Sequence, residues 1–109
     1  MHELALVEEV IAICTESSGG ARVRRVVLEI GKLACALPDA VRFAFELAGA
    51  GTVVEGATLE IVQPPGRARC RACGAEVVLE RPDGRCACGA FDLDWLSGDE
   101  LRISAMEVD

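Results

Sequence analysis

The sequence CRACG at residues 70–74, followed by CACG at residues 86–89, is the most informative pattern in this chain. Two thiols on a tight turn can point at one ion, and a glycine after them lets the backbone bend beneath the pair. Twelve residues separate the two pairs, and Glu76 to Leu79 with the turn at residues 81–84 suggests a hairpin between them. The pattern predicts a zinc ribbon whose ligands are Cys70, Cys73, Cys86 and Cys88.

Four thiolates fill the tetrahedral coordination of Zn(II), so such an ion would serve folding rather than catalysis. Two other interpretations stay open at this point. The cysteines could be reduced and unliganded, packed as small apolar residues, or one pair could shuttle between dithiol and disulfide. If zinc binds, its affinity should fall as the pH drops, because protons compete for the thiolates.

The composition is that of an acidic globular protein. A chain of 109 residues can form one core with a metal-stabilised appendage, but it is too short for two independent hydrophobic domains. The net charge of −7 would repel phosphate backbones, which argues against a nucleic-acid partner. No apolar run approaches the roughly 20 residues of a membrane span, and the start lacks the basic flank of a signal peptide, so we expect a cytoplasmic protein with no membrane partner.

Hydrophobic periodicity outside the cysteine region predicts two helices and three strands. The helices are expected at His2–Ser17 and Pro38–Ala48, and the strands at Val23–Leu33, Ala57–Gln63 and Leu101–Val108. Because these elements do not repeat as βαβ units, the expected fold class is α+β, with two helices on a small three-stranded sheet.

The zinc ribbon then becomes an inserted lobe between the second and third strands. The sequence PPG at residues 64–66 marks the boundary where the lobe would begin. The predicted domains are residues 1–63 with 99–109, and residues 64–98.

The amino terminus offers a second candidate metal site. The α-amine of Met1 and the backbone nitrogen and imidazole of His2 lie close enough to chelate one ion, and Glu3 could add a nitrogen or a carboxylate. Ni(II) and Cu(II) favour planar sets of nitrogen and oxygen ligands. The residues alone do not distinguish such a site from a solvated terminal histidine.

Two further cysteines are predicted to be small core residues. Cys14 lies on the apolar stripe of the first helix, and Cys35 follows the first strand between two alanines. Trp95 is expected to cover the zinc lobe or its junction with the main sheet.

Short blocks along the whole chain match one known family. They are MHE at residues 1–3, VLEIGKL at 27–33, FAFE at 43–46, GT at 51–52, EGATL at 55–59, the two cysteine pairs, and SGDEL at 97–101. In this order they resemble the hydrogenase maturation nickel metallochaperone family, HypA/HybF. The resemblance implies that Met1, His2 and Glu3 bind Ni(II) and that the cysteine pairs bind structural Zn(II).

The resemblance also implies a function and partners. It implies a non-enzymatic carrier that passes nickel to the large-subunit precursor of a [NiFe]-hydrogenase, with a hydrogenase maturation GTPase as a further partner. It leaves open whether urease maturation proteins are partners too. One feature departs from the family: its second cysteine pair usually has two residues between the cysteines, with a proline after the first, whereas here Ala87 stands alone between Cys86 and Cys88.

The departure and the composition leave alternatives. If one thiolate of the shorter pair cannot reach the ion, Asp92, Asp94 or water could complete the site. A rival interpretation is a zinc-ribbon protein-interaction module without transferable metal, in which His2 is incidental. An enzyme is disfavoured, because the chain has a single histidine, no Ser/His/Asp set and no open zinc position.

Overall fold

The structure is a computed structural model that describes residues 3–109, so Met1 and His2 lie outside the described residues. In chain order the elements are α1 Glu3–Ser17, β1 Val23–Ile30, α2 Pro38–Gly49, β2 Thr58–Val62, β3 Gly66–Cys70, β4 Glu76–Leu79, β5 Leu93–Ser97 and β6 Leu101–Val108. The strands form two three-stranded sheets with the orders β2-β1-β6 and β4-β3-β5. The α+β class and the first three-stranded sheet are confirmed.

The chain folds as two compact units. Unit 1 comprises Met1–Leu28, Ala36–Ile61 and Arg102–Asp109, and unit 2 comprises Glu29–Cys35 and Val62–Leu101. Unit 2 therefore holds both cysteine pairs together with a short segment that starts with the last two residues of β1. The domain boundaries at residues 63/64 and 98/99 stay a prediction.

The core of unit 1 follows the hydrophobic periods of the sequence. Helix α1 packs against α2, and the buried side chains recur every three or four residues on the helices and at alternate positions on β1. They are Leu6, Val7, Val10 and Cys14 on α1, Val41, Ala44 and Phe45 on α2, and Val26 and Leu28 on β1. The prediction that Cys14 is a core residue is confirmed. Within residues 3–109 no helix is long and apolar enough to cross a membrane.

Strand β3 is the centre of the sheet in unit 2. It pairs antiparallel with β4, where Gly66 lies opposite Leu79, and with β5, where Cys70 lies opposite Leu93. A small apolar core forms on one face of this sheet from Leu33, Ala68 and Leu79, with Val77 and Leu93 packed against it.

The hairpin of unit 2 is not the one that the sequence predicted. The turn at Arg81–Gly84 is present, closed by a hydrogen bond from the Gly84 amide to the Arg81 carbonyl of 3.1 Å. However, no strand follows it before residue 93, and β4 pairs with the preceding strand β3 instead. The observed hairpin is therefore formed by β3 and β4, and the first cysteine pair lies at the loop that joins them.

Cys35 is exposed, so the prediction that it packs in a core is wrong. Strand β1 ends at Ile30, three residues earlier than predicted, and the Ala34 amide donates to the Gly31 carbonyl over 2.9 Å. The chain turns there, so Cys35 lies five residues beyond the end of the strand and not beside it.

Three segments of unit 2, around Gly31, Gly66 and Gly98, pass so close to one another that their backbones are in contact. The Gly31 amide donates to the Glu100 carbonyl and the Leu33 amide donates to the Gly98 carbonyl, both over 2.8 Å. A Cβ atom on Gly98, whose φ is +108°, would lie 2.3 Å from the Cα of Gly66. Only a residue without a side chain fits at this crossing.

We predict that Gly98→Ala destabilises the protein by about 3 kcal/mol, because the new Cβ adds a clash to the strain of a left-handed backbone. Gly19→Ala is the control, since Gly19 also has a positive φ, +64°, but has no atom within 4 Å of a new Cβ. It should cost about 1 kcal/mol. Urea unfolding followed by circular dichroism and Trp95 fluorescence measures both, and equal costs would mean that the crossing relaxes around a methyl group.

Candidate metal centre

The first cysteine pair lies in the loop between β3 and β4. Two backbone hydrogen bonds close this loop, from the Cys70 amide to the Ala75 carbonyl and from the Gly74 amide to the Cys70 carbonyl, each 2.9 Å long. Gly74 has a φ of +76°, a backbone conformation that residues with a Cβ atom rarely adopt. The loop therefore turns back tightly and leaves both thiols on its inner side.

The second pair is held by an equivalent loop that is one residue shorter. The Cys86 amide donates to the Ala90 carbonyl over 3.0 Å, and the Gly89 amide donates to the Cys86 carbonyl over 2.9 Å. The same two bonds thus span one residue fewer than in the first loop. The turn differs, as expected for a single residue between the cysteines, but the loop closes in the same way.

The two loops bring all four sulfurs together. The Sγ atoms of Cys70, Cys73, Cys86 and Cys88 lie within 4.8 Å of one another. Across the loops, Cys70 Sγ is 3.7 Å from Cys88 Sγ, and Cys73 Sγ is 3.6 Å from Cys86 Sγ. Sulfurs about 2.3 Å from a tetrahedral ion stand about 3.8 Å apart, so the donor set fits a single metal ion of this kind.

Each loop contributes one buried and one exposed cysteine. Cys70 and Cys86 are 1% and 7% exposed, whereas Cys73 and Cys88 are open to solvent. An ion held by this set would have two ligands anchored inside unit 2 and two at its surface.

The loop geometry also affects the acidity of the first pair. The amides of Cys73 and Ala72 donate to the sulfur of Cys70 and lower the pKa of its thiol to about 7, against the opposing effect of desolvation. At Cys73 the Ala75 amide acts in the same direction, but hydrogen bonds with Cys86 and Cys70 together with desolvation leave its pKa raised. One thiolate is therefore available near neutral pH before a metal arrives.

The two aspartates that could have replaced a sulfur are engaged elsewhere. Arg71 Nε donates to Asp94 Oδ1 over 2.8 Å, and this hydrogen bond holds the pKa of Asp94 below its ordinary value. Arg71 Nε also lies 3.9 Å from Asp92 Oδ1, and the Arg71 amide donates to the Asp92 backbone carbonyl over 3.2 Å. Arg71 thus joins the first cysteine loop to the chain entering β5, a role that no motif in the sequence signals.

The predicted amino-terminal site falls largely outside the described residues. Met1 and His2 lie outside them, and Glu3 is the half-buried first residue of α1. The assignment of nickel to Met1, His2 and Glu3 stays a prediction.

We predict that Cys88→Ser weakens metal binding strongly, because it removes one of the four donors that the loops bring together. Cys35→Ser is the matched control, since Cys35 belongs to the same unit but not to the cluster. Purified protein is dialysed against a mild chelator, and retained metal is counted by mass spectrometry. Equal retention in the two variants would show that Cys88 is not a ligand.

Comparison with known proteins places this chain in a family. The sequence model described as "Hydrogenase/urease nickel incorporation, metallochaperone, hypA" matches residues 1–108. The chain is 52% identical to hydrogenase maturation factor HypA of Trichormus variabilis, covering 100% of this chain and 96% of that protein. It is 44% identical to hydrogenase maturation factor HypA of Geotalea uraniireducens, and the match covers the whole of both chains.

The fold agrees with a solved member of the same family. The solution structure of the Ni metallochaperone HypA from Helicobacter pylori superposes with a TM-score of 0.69 at 27% identity, covering 99% of this chain and 97% of that one. The sequence match, the shared fold and the four-cysteine centre agree with one another, and the chain belongs to the HypA family of nickel metallochaperones for hydrogenase maturation.

Proposed function

We propose that this chain carries Ni(II) as cargo on Met1, His2 and Glu3 and delivers it during the maturation of a [NiFe]-hydrogenase. The observation that carries the proposal is the match to a family of nickel-incorporating metallochaperones over residues 1–108, which include the sequence MHE at residues 1–3. Of these three residues the structure describes Glu3, which is the first residue of helix α1.

The chemistry of this terminus suits a carrier. An α-amine, an imidazole and backbone nitrogens form a planar donor set of the kind that Ni(II) prefers. A carrier needs enough affinity to acquire the ion and an accessible coordination sphere through which another protein can take it by ligand exchange. A short terminal segment meets this requirement better than a closed four-sulfur site does.

For the cysteine cluster we propose Zn(II) in a structural role. The cross-loop sulfur distances of 3.7 Å and 3.6 Å match a tetrahedral thiolate site. Four protein ligands leave no position for a substrate, which supports a carrier and not an enzyme. The six free cysteines suit a reducing cytoplasm, where we place the protein.

The proposed partners are those that suit a nickel carrier of this family. Its description names hydrogenase and urease nickel incorporation, and we propose the large-subunit precursor of a [NiFe]-hydrogenase as the acceptor. A hydrogenase maturation GTPase is proposed as the second partner, with urease maturation proteins as a further acceptor class. The nickel-binding domain is proposed to be residues 1–63 with 99–109, and the zinc-binding lobe residues 64–98.

We predict that His2→Ala weakens Ni(II) binding about tenfold or more, because it removes the imidazole from the donor set. Calorimetric titration of zinc-loaded protein with its native terminus measures this effect, and mass spectrometry verifies that Met1 is retained. Glu9→Ala is the control, because Glu9 is an exposed acid of α1 outside the proposed site. Equal titration curves for His2→Ala and the unmodified protein would reject the terminal site and favour a zinc-ribbon interaction module.

We predict that apparent Zn(II) affinity falls by about tenfold or more between pH 8 and pH 6. The pKa of Cys70 is lowered to about 7 and that of Cys73 is raised, so lowering the pH protonates Cys70 within this range while Cys73 must already lose a proton on binding. Competition with a chromophoric chelator, corrected for the chelator's own protonation, measures the change. A flat profile would mean that the ion is not held by thiolates.

A further inference from the structure

Helix α2 presents an apolar ridge to solvent. Phe43 and Leu47 are each 64% exposed, and their spacing of four residues places them one turn apart on the same face. Leu37, just before the helix, is 67% exposed. Large apolar side chains that adjoin on a surface are typical of interaction sites, whereas single ones need no explanation.

A cavity lies where this helix ends. It has a volume of about 370 Å³ and is lined by Phe45, Glu46, Gly49, Ala50, Val54, Glu55, Gly56 and Ala57. Glu46 and Glu55 are the only charged residues among these. Most of the other lining side chains are apolar, and this combination suits a ligand with an aliphatic stem and a cationic end.

The carboxylate of Glu46 is available for a partner. Among residues 3–109 it forms no ion pair and no side-chain hydrogen bond, while Glu55 Oε2 accepts one hydrogen bond of 3.2 Å from the Gly51 amide. The carboxyl end of a helix carries partial negative charge, which adds to the attraction for a cation. Arg22 stands at one edge, where its guanidinium donates to the Glu55 carbonyl over 2.9 Å, and it does not line the cavity.

Helices α1 and α2, here called the helical layer, carry a net negative charge, as the lining of the cavity does. Helix α1 carries four acidic residues and no basic one, and α2 carries two acidic residues and Arg42. The guanidinium of Arg42 donates to the Leu59 carbonyl over 2.7 Å. Approach of a basic segment to this layer is favoured, and approach of an acidic surface or an anionic membrane is not.

We propose that the ridge of Phe43 and Leu47 and the cavity at the end of α2 form one docking surface for a partner protein. The occupant is a segment that places apolar side chains on the ridge and inserts a lysine or arginine side chain beside Glu46 and Glu55. The surface includes no residue assigned to a metal, so the proposal stands whether or not the terminus binds nickel.

The test uses two short capped peptides of leucine and alanine, one with a central arginine and the other with citrulline in its place. Citrulline keeps the shape of arginine and removes its charge. Each peptide is titrated into full-length, zinc-loaded protein labelled with ¹⁵N, and amide shifts are followed by NMR. We expect shifts centred on residues 43–57 and binding of the arginine peptide about fivefold tighter than that of the citrulline peptide.

Surface variants separate the two parts of the site. Glu46→Gln should clearly reduce the preference for arginine over citrulline, with Glu55 supplying what remains, and Phe43→Ser with Leu47→Ser should weaken both peptides equally. The matched controls are Glu16→Gln and Ile13→Ser, because Glu16 is exposed and Ile13 is 44% exposed on α1. All these side chains are at the surface, and thermal melts verify that each variant folds.

Two outcomes would overturn the proposal. Shifts that are equal for the two peptides, or that centre outside residues 43–57, would show that neither the cavity nor the ridge selects a basic segment. Concentration-dependent shifts of residues 43–57 in the protein alone would identify a second copy of this chain as the occupant.

Discussion

The closeness of four cysteine sulfurs is the constraint on which unit 2 depends. Four thiolates within 4.8 Å of one another repel strongly. The apolar cluster on the sheet of this unit is small, with Leu33, Ala68 and Leu79 as its buried members, which is little for an independently stable fold. A cation among the sulfurs removes the repulsion and joins two loops that are distant in sequence. Metal binding and folding of unit 2 are therefore expected to be one linked equilibrium.

The charges of unit 1 are divided between its sheet and its helices. In the sheet, Arg24 and Arg25 both pair with Glu107, each at 3.1 Å, and Arg25 also pairs with Glu60. Exposed pairs of this kind add little stability, but they neutralise the acidic residues beside them. Because α1 and α2 carry six acidic residues against one arginine, much of the net charge of −7 lies on the helical layer. A basic partner is therefore steered to the helices.

The periodicity of apolar residues was sufficient to predict the helices and strands of unit 1, because each of them buries one face. The same periodicity was not sufficient to predict the strands of unit 2. Strand β3 contains Arg67–Arg69, in which a single small alanine carries the buried face, and no β-branched residue signals a strand. The sequence of the turn at Arg81–Gly84 is typical of a hairpin, so the hairpin was predicted there and not between β3 and β4. Cys35 was misplaced because the end of β1 depends on a backbone crossing that local sequence does not contain.

The four-cysteine cluster could be predicted from spacing, but its completeness could not. Because one residue is absent from the loop of Cys86 and Cys88, the sequence leaves open a substitute ligand at this pair. In the structure, the number of residues between the cysteines does not decide whether both sulfurs reach the cluster. What fixes each sulfur is the pair of backbone hydrogen bonds that closes its loop, and both loops make that pair, over Cys70–Ala75 in one and Cys86–Ala90 in the other. The shorter loop changes the turn between the sulfurs and keeps the anchor beneath them, so the fourth donor reaches the cluster without help from an aspartate.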